Sequence, residues 1–270
     1  MLPLVDELDA YLDAAPRPDS EAVPVGPFTL FVSRSPWPYY ARPALGRRDA
    51  ITAADLEALR TACAQHQVKL SMEWVHEVHP ELAGLAAAAG LVVSTHVLMA
   101  AAVTDVTPVV GRTDDVPVRL VPAGDPALAA GRAVAHVAFG VGGTTTGPQG
   151  PAERDAALAG QGSDETEHLH DRTRRGLTIT AVAESGAEGV VAVASLQPVG
   201  ELAEVVGVAT LPSARRRGLA AALTAALCRH AAGLGVRTVL LSAQDDAVAA
   251  IYAGVGFRRV GTSHAAEPPD

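Results

Sequence analysis

Lysine is nearly missing from this chain of 270 residues: Lys69 stands alone among 21 basic side chains, the rest being arginine. Without a lysine in a glycine-rich turn the phosphate loop GxxxxGK[ST] is excluded, and GxGxxG at the start of a βαβ unit is absent too. Aromatic residues are 4% of the chain and the net charge is −9, which argues against a nucleic-acid partner. Such a partner needs basic side chains for its phosphates and rings on which to stack its bases. Cys63 and Cys228 are the only cysteines, too few for a disulfide framework, and both read as buried thiols of a reducing compartment. Long apolar runs are also absent. The richest stretch, Leu82 to Val103, is broken by Gly84, Gly90 and Ser94-Thr95-His96, so no membrane span is expected. The opening MLPLVDELDAYLD carries acids where an export signal needs a basic start; it predicts an amphipathic helix and a cytoplasmic protein.

What is present is a hydrophobic fraction of 49%, enough for a real core in one large or two small domains. The acid excess fits a solvated acidic surface or a cationic small-molecule substrate. Phe28 to Ser33 reads as a strand, and the proline-rich SPWPYYARPALG after it as loop. Thr52 opens a helix with Asp55 as an approximate capping box, running to about His66. VKLSMEWV, HPELAGLAAAAG and LVVSTHVLMAAAV follow as strand, helix and strand. The polar TDDVP near residue 115 marks a boundary between domains 1–115 and 116–270.

Beyond it VRLV is a short strand, and helices lie around Pro126 to Val137 and Ala152 to Arg174. LTITAVAE, GVVAVASLQPV and AEVVGVATL read as strands, the first two joined by a hairpin at SGAEG. ARRRGLAAALTAALCRHAAGLG reads as a helix, VRTVLLSA as a strand, DDAVAAIYAGVG as a helix and FRRVGTS as a last strand. The fold class is α/β of the α+β kind. The order helix, strand, helix, strand occurs twice, and setting Gly90 over Gly256 lays LAGLAAAAGLVV on VAAIYAGVGFRR. The copies differ in chemistry: Ala86 falls where Tyr252 stands, and RRDAI falls near RRRGL without its glycine.

The stretch VGVATLPSARRRGLAAALTAAL, Val206 to Leu227, puts the densest positive charge where a strand feeds a helix. The first N–H groups of a helix have no intrahelical acceptor, and with the helix dipole they form an anion site. Gly218 lets a phosphate approach the backbone, and Ala220 is small enough to do the same. Arg215, Arg216 and Arg217 would add charge at the rim, so the junction is expected to hold a pyrophosphate. Arginines that merely solvate a helix start are the plain alternative, although they would oppose the dipole there.

RRRGLA, Arg215 to Ala220 with Leu219 inside it, fits the acyl-CoA signature [QR]xxGx[GA] of the GCN5-related N-acetyltransferases (GNAT). GVATLP resembles that family's strand end, and AAIYAGVGF resembles its closing motif. The resemblance implies a GNAT fold, a mixed and mostly antiparallel sheet flanked by helices. It implies a complete catalytic domain in 116–270, preceded by a partial, degenerate GNAT-like repeat in 1–115. Acetyl-CoA is the implied cosubstrate, with no metal. Backbone groups of Val208, Ala209 and Thr210 would meet the pantetheine arm, and Arg215 to Ala220 the pyrophosphate. Tyr252 would protonate the departing CoA sulfur, with packing beside Phe257 as its structural alternative. Glu204, fourteen positions before Gly218, would be the general base, with a solvated hairpin end beside Glu201 as the alternative. Asp245 stands where many relatives carry asparagine, which leaves one CoA contact open.

The implied activity is transfer of acetyl to a primary amine of a small molecule or peptide by direct attack in a ternary complex. A non-catalytic acyl-CoA sensor or scaffold, or acyl transfer to oxygen, are the alternatives. Gly140 to Pro151 and Gln161 to Arg174 are the expected acceptor loops, and the expected state is monomer or homodimer. HEVH, His76 to His79, falls one residue short of HExxH, and HLHD, His168 to Asp171, reads as a polar helix face, so no metal site is expected.

Overall fold

The computed structural model describes residues 4–107 and 116–269. In chain order its helices and strands are α1 (Leu4–Ala14), β1 (Ser20–Val25), β2 (Phe28–Ser33), β3 (Ala41–Pro43), α2 (Ala53–Gln65), β4 (Met72–Val75), α3 (Leu82–Ala88) and β5 (Val92–Ala102). There follow β6 (Val118–Val121), α4 (Ala127–Val141), α5 (Pro151–Ala159), α6 (Ser163–Arg174), β7 (Ile179–Ser185), β8 (Gly189–Val199) and β9 (Leu202–Thr210). The last are α7 (Leu219–Gly233), β10 (Thr238–Ala243), α8 (Asp246–Ala253) and β11 (Arg258–Glu267).

The chain divides into two compact units, one of Met1–Met99, Ser242–Asp245 and Arg259–Asp270, the other of Ala100–Leu241 and Asp246–Arg258. This differs from a split into 1–115 and 116–270: the first unit ends earlier and takes back the C-terminal strand. Residue 115 itself lies outside the described residues.

In the first unit the strand order is β1-β2-β3-β4-β11-β5. β1, β2 and β3 pair antiparallel, β3 and β4 pair in parallel at Ala41↔Met72, and β11 runs antiparallel to β4 from Ser263↔Val75 to Ala266↔Met72. Successive residues of a strand face opposite sides. Met72 and Trp74 therefore enter one core with Phe28, Leu30, Leu56, Leu59 and Leu82, where each large side chain contributes about 1.5–3 kcal/mol. On the core-facing side α2 starts as the sequence predicts, with Thr52 Oγ1 accepting the Asp55 N–H and the Asp55 carboxylate accepting the Thr52 N–H. Arg42 is fully buried, paired with the Asp9 carboxylate and donating to the Asp9 carbonyl at 2.6 Å.

In the second unit the order is β10-β9-β8-β7-β6, antiparallel except for β9 and β10. Helix α4 lies close on β8: a Cβ on Gly131 would stand 2.9 Å from Val193 Cγ2. Cys63 and Cys228 are free and buried, and burial pushes the Cys228 thiol up to about 12. Among the described residues no helix is long and apolar enough to cross a membrane.

Four local expectations need correction. SEAVPV and Ala41–Pro43, unmarked or assigned to loop, are strands, because pairing with β2 overrides their prolines, Pro24 in the edge strand and Pro43 at the last residue of a strand between β2 and β4. The helix expected over 152–174 is two, α5 and α6, parted at Gly160–Gly162. The arginine run is not helical: Arg216 and Gly218 take left-handed φ values of 68° and 78°, so α7 begins at Leu219. The final strand continues past Ser263 to Glu267.

Asp9→Ala would leave a buried guanidinium uncompensated, and the expected loss is about 3–5 kcal/mol. Urea unfolding followed by tryptophan emission checks it, and the double change Asp9→Leu with Arg42→Met is expected to lose less.

Candidate active site

The site begins with an irregularity in β9. The partner of Val193 is Ala209, but that of Ser195 is Val206, so Gly207 and Val208 together stand opposite Ala194. This is a β-bulge, and Gly207 supplies the positive φ of 61° that it requires. On its other side β9 pairs in parallel with β10 only from Thr238↔Leu202 to Leu240↔Glu204. Past Glu204, β9 continues to Thr210 without pairing to β10, so Val208, Ala209 and Thr210 lie in the stretch where the two strands no longer share a ladder. Ala209 is buried, and Val208 and Thr210 are half-buried.

Beyond β9 the chain turns through Leu211–Ala214 and reaches α7. Gly218 is its N-cap, left-handed, with no side-chain cap and nothing within 4 Å of where a Cβ would stand. The first helical bond is Ala222 N–H to the Gly218 carbonyl at 3.0 Å. The amides just before Ala222, those of Leu219 and Ala220 among them, therefore have no intrahelical acceptor. Leu219 is buried and anchors the turn, while Ala220 is half-buried.

The three arginines do different things. Arg215 turns inward: its guanidinium donates to the carbonyls of Gly142 (2.9 Å), Thr145 (3.0 Å), Ala138 (3.1 Å) and Thr210 (3.3 Å). Burial there works against its charge and lowers its pKa. Arg217 approaches the Glu188 carboxylate at 3.5 Å. Arg216 is exposed. The expected charge at the rim is thus largely spent within the protein, and Arg215 is instead the clamp that ties the end of α4 to the strand end. The same loop is held by Gly147 N–H to the Pro212 carbonyl (3.2 Å) and Ser213 N–H to the Gln149 carbonyl (3.0 Å). Gly140 to Pro151, expected as an acceptor loop, therefore packs on the strand–helix junction.

Tyr252 lies in α8, 7% exposed, its ring edge-on to Phe257 with centroids 6.2 Å apart. Burial pushes its phenol up to about 12, so it is protonated at neutral pH. Both the acid role and the packing alternative are compatible with that contact. Glu204 is half-buried on β9, opposite Gln197 of β8 and Leu240 of β10, at the last residue before the two parallel strands separate. Asp245 stands directly before α8. Among the described residues no group of three His, Cys, Asp or Glu side chains is placed to hold a metal ion. His76 instead meets His264 at 3.2 Å, and His170 Nδ1 accepts the Gly124 N–H at 2.9 Å.

Sequence reasoning missed Arg154, buried and donating to the carbonyls of Glu188 (2.5 Å) and Val190 (2.7 Å), and Arg172, buried on Thr178 Oγ1 at 2.8 Å. Neither has a motif; only an arginine on a helix face beside a hairpin hints at it.

The framework of the site is thus a bulged strand that parts from its parallel neighbour and feeds a helix with no side-chain cap. Residues 151–257 match the model of the Acetyltransferase (GNAT) family. Solved structures similar over nearly the whole chain include a GCN5-related N-acetyltransferase from Kribbella flavida (22% identity, covering 100% of this chain and 98% of that one, TM-score 0.72). Another is a GCN5-related N-acetyltransferase from Sphaerobacter thermophilus (16%, 93% and 84%, TM-score 0.61). A third is a tandem GNAT protein from the clavulanic acid biosynthesis pathway (16%, 90% and 79%, TM-score 0.53). These likenesses bear on the fold and extend it to the N-terminal part. No curated protein matches the chain.

Arg215→Met is expected to cost about 2 kcal/mol, since it strands several carbonyls that a charged donor serves. Arg216→Ala is expected to leave the thermal midpoint unchanged. Paired melting curves of the two variants check this division of roles.

Proposed function

We propose that the chain is an acetyl-CoA-dependent N-acetyltransferase whose acceptor is a primary amine of a small molecule or peptide. It would act in the cytoplasm as a monomer or homodimer. The observation that carries the reading is the start of α7. In the first unit the equivalent helix start, α2, is closed by its own Thr52 and by the negative charge of Asp55, whose pKa those hydrogen bonds lower. At Gly218 there is no such cap. Helix amides left open at the end of a parted strand suit the pyrophosphate of CoA. Gly218, Leu219 and Ala220 would offer the backbone, Arg216 the outer charge, with Arg217 partly offset by Glu188, and Arg215 would hold the loop.

In the reaction the amine nitrogen attacks the thioester carbonyl, the new C–N bond forms and the C–S bond breaks. Glu204 takes the proton that the amine gives up, and Tyr252 donates one to the leaving thiolate. Backbone N–H groups near Ala209, freed from β10, would polarise the carbonyl. Because its phenol is held protonated, Tyr252 is ready for its role well above neutral pH, so any alkaline loss of rate arises elsewhere.

Calorimetric titration with acetyl-CoA is expected to give saturable binding that falls at least about 10²-fold in Gly218→Glu, whose carboxylate repels phosphate. Tyr252→Phe is expected to keep acetyl-CoA affinity and lower kcat about 10²-fold toward an amine found by screening. Absence of binding in the unsubstituted protein would sink the proposal. Full turnover in Tyr252→Phe would remove that residue from the mechanism.

A further inference from the structure

The first unit holds an open pocket of about 620 Å³, within the size range of small-molecule sites. Its wall is aromatic in a chain poor in aromatics: Phe31, Trp37, Tyr39 and Tyr40 line it, four of the ten in the whole sequence. The loop that carries three of them is fixed. Ser33 Oγ donates to the Trp37 carbonyl at 2.6 Å and accepts the Ser35 N–H at 3.0 Å, Tyr40 Oη donates to the Leu12 carbonyl at 3.1 Å, and Phe31 and Tyr40 meet edge to face at 6.0 Å.

Two carboxylates reach this pocket, Glu267 and Glu73. Glu267 is answered by Lys69 Nζ at 2.9 Å and Ser71 Oγ at 3.1 Å. Glu73 alternates along β4 with core-facing Met72 and Trp74, so it points to the other face of the sheet. The nearby cation Arg42 is engaged by Asp9. Among the described residues the Glu73 carboxylate has no hydrogen-bond or ion-pair partner. Desolvation pushes its pKa up to about 7, with Arg42 opposing and Glu267 reinforcing the shift. Once the pairs are discounted, the pocket is an aromatic recess with one carboxyl that no hydrogen bond or ion pair answers among the described residues, and that is mostly ionised only above about pH 7.

We propose that this pocket binds a small organic cation, an amine or quaternary ammonium with an apolar body, with Glu73 as counter-ion and Trp37, Tyr39 and Tyr40 as its aromatic wall. Cations are held over aromatic faces by the ring quadrupole, and a carboxylate in the same recess adds the charge term. The site is separate from the acyl-transfer reading and stands or falls without it.

The test is calorimetry on the full chain at about pH 8 with phenethylamine, an ammonium at that pH, against 2-phenylethanol, similar in shape and uncharged. Phenethylamine is expected to bind saturably and at least about tenfold more tightly than the alcohol. Glu73→Gln should remove that advantage, and Trp37→Leu should weaken both probes. Lowering the pH to about 6 should weaken the amine alone, as Glu73 takes up its proton while the ammonium keeps its charge.

A folding control is built in. A carboxyl whose folded pKa is raised binds more protons folded than unfolded between its ordinary value and about 7, so it costs stability as pH rises. Glu73→Gln should therefore melt no lower than the parent at about pH 8. Equal affinity for the two probes, no saturation by the amine, or amine affinity lost in Tyr252→Phe but kept in Glu73→Gln would each overturn the proposal.

Discussion

Parallel strands stay in register until one of them is lengthened, and in β9 the extra residue sits at Gly207–Val208. The ladder to β10 ends at Glu204, just ahead of it, and the geometry of the candidate site depends on that ending. A bulge sharpens the local twist and bends the strand that carries it, so the end of β9 separates from β10 while staying paired to β8 at Ala209 and Thr210. The backbone of those residues then borders an opening instead of a neighbouring strand. A glycine with φ of 61° makes the bend inexpensive, where a branched residue would be strained.

The two units show the same local plan with opposite terminations. β3, α2 and β4 repeat the parallel strand, helix, strand order of β9, α7 and β10. In the first, Thr52 and Asp55 satisfy the helix start from within and set a negative charge where an anion would have to lie. In the second, a left-handed glycine begins the helix and offers no side chain. The difference between a closed and an open helix start therefore lies in two side chains, and only the open start leaves its first amides without a side-chain acceptor. Position 252 carries the parallel contrast: a buried tyrosine in α8 against the buried alanine Ala86 in α3, each helix followed by a left-handed glycine, Gly256 and Gly90.

Local chemistry was readable from the sequence because it is local. The capping box needs only Thr52 and Asp55, three apart, and the hairpin at SGAEG needs only its own turn, so both were visible in the letters. The separation of Gly218 from Tyr252 and the glycine-containing signature likewise survive in one dimension. What was not readable depends on partners far along the chain. Ala41–Pro43 is a strand only because β2 and β4 flank it, and its two neighbouring prolines would otherwise argue for loop. The strand β11 lies beside β4, a pairing nearly two hundred residues apart that no periodicity encodes. The bulge was equally hidden, since Gly207 in a strand-like run fits a plain weak strand as well.

The arginine run illustrates how charge in a sequence overstates charge at a site. A guanidinium has five donors in a planar fork, and a lysine ammonium has only a compact point charge. Arginine is thus suited to gathering carbonyls, as Arg42, Arg154 and Arg215 do, and such residues contribute architecture instead of field. With Arg215 turned inward and Arg217 beside Glu188, Arg216 is the arginine of the three left exposed at the junction. An anion there would rest chiefly on backbone N–H groups and the helix dipole. On that reading the glycine, with no side chain and a left-handed backbone, would be the most sensitive position of the signature, and the arginines beside it would be free to hold the loop.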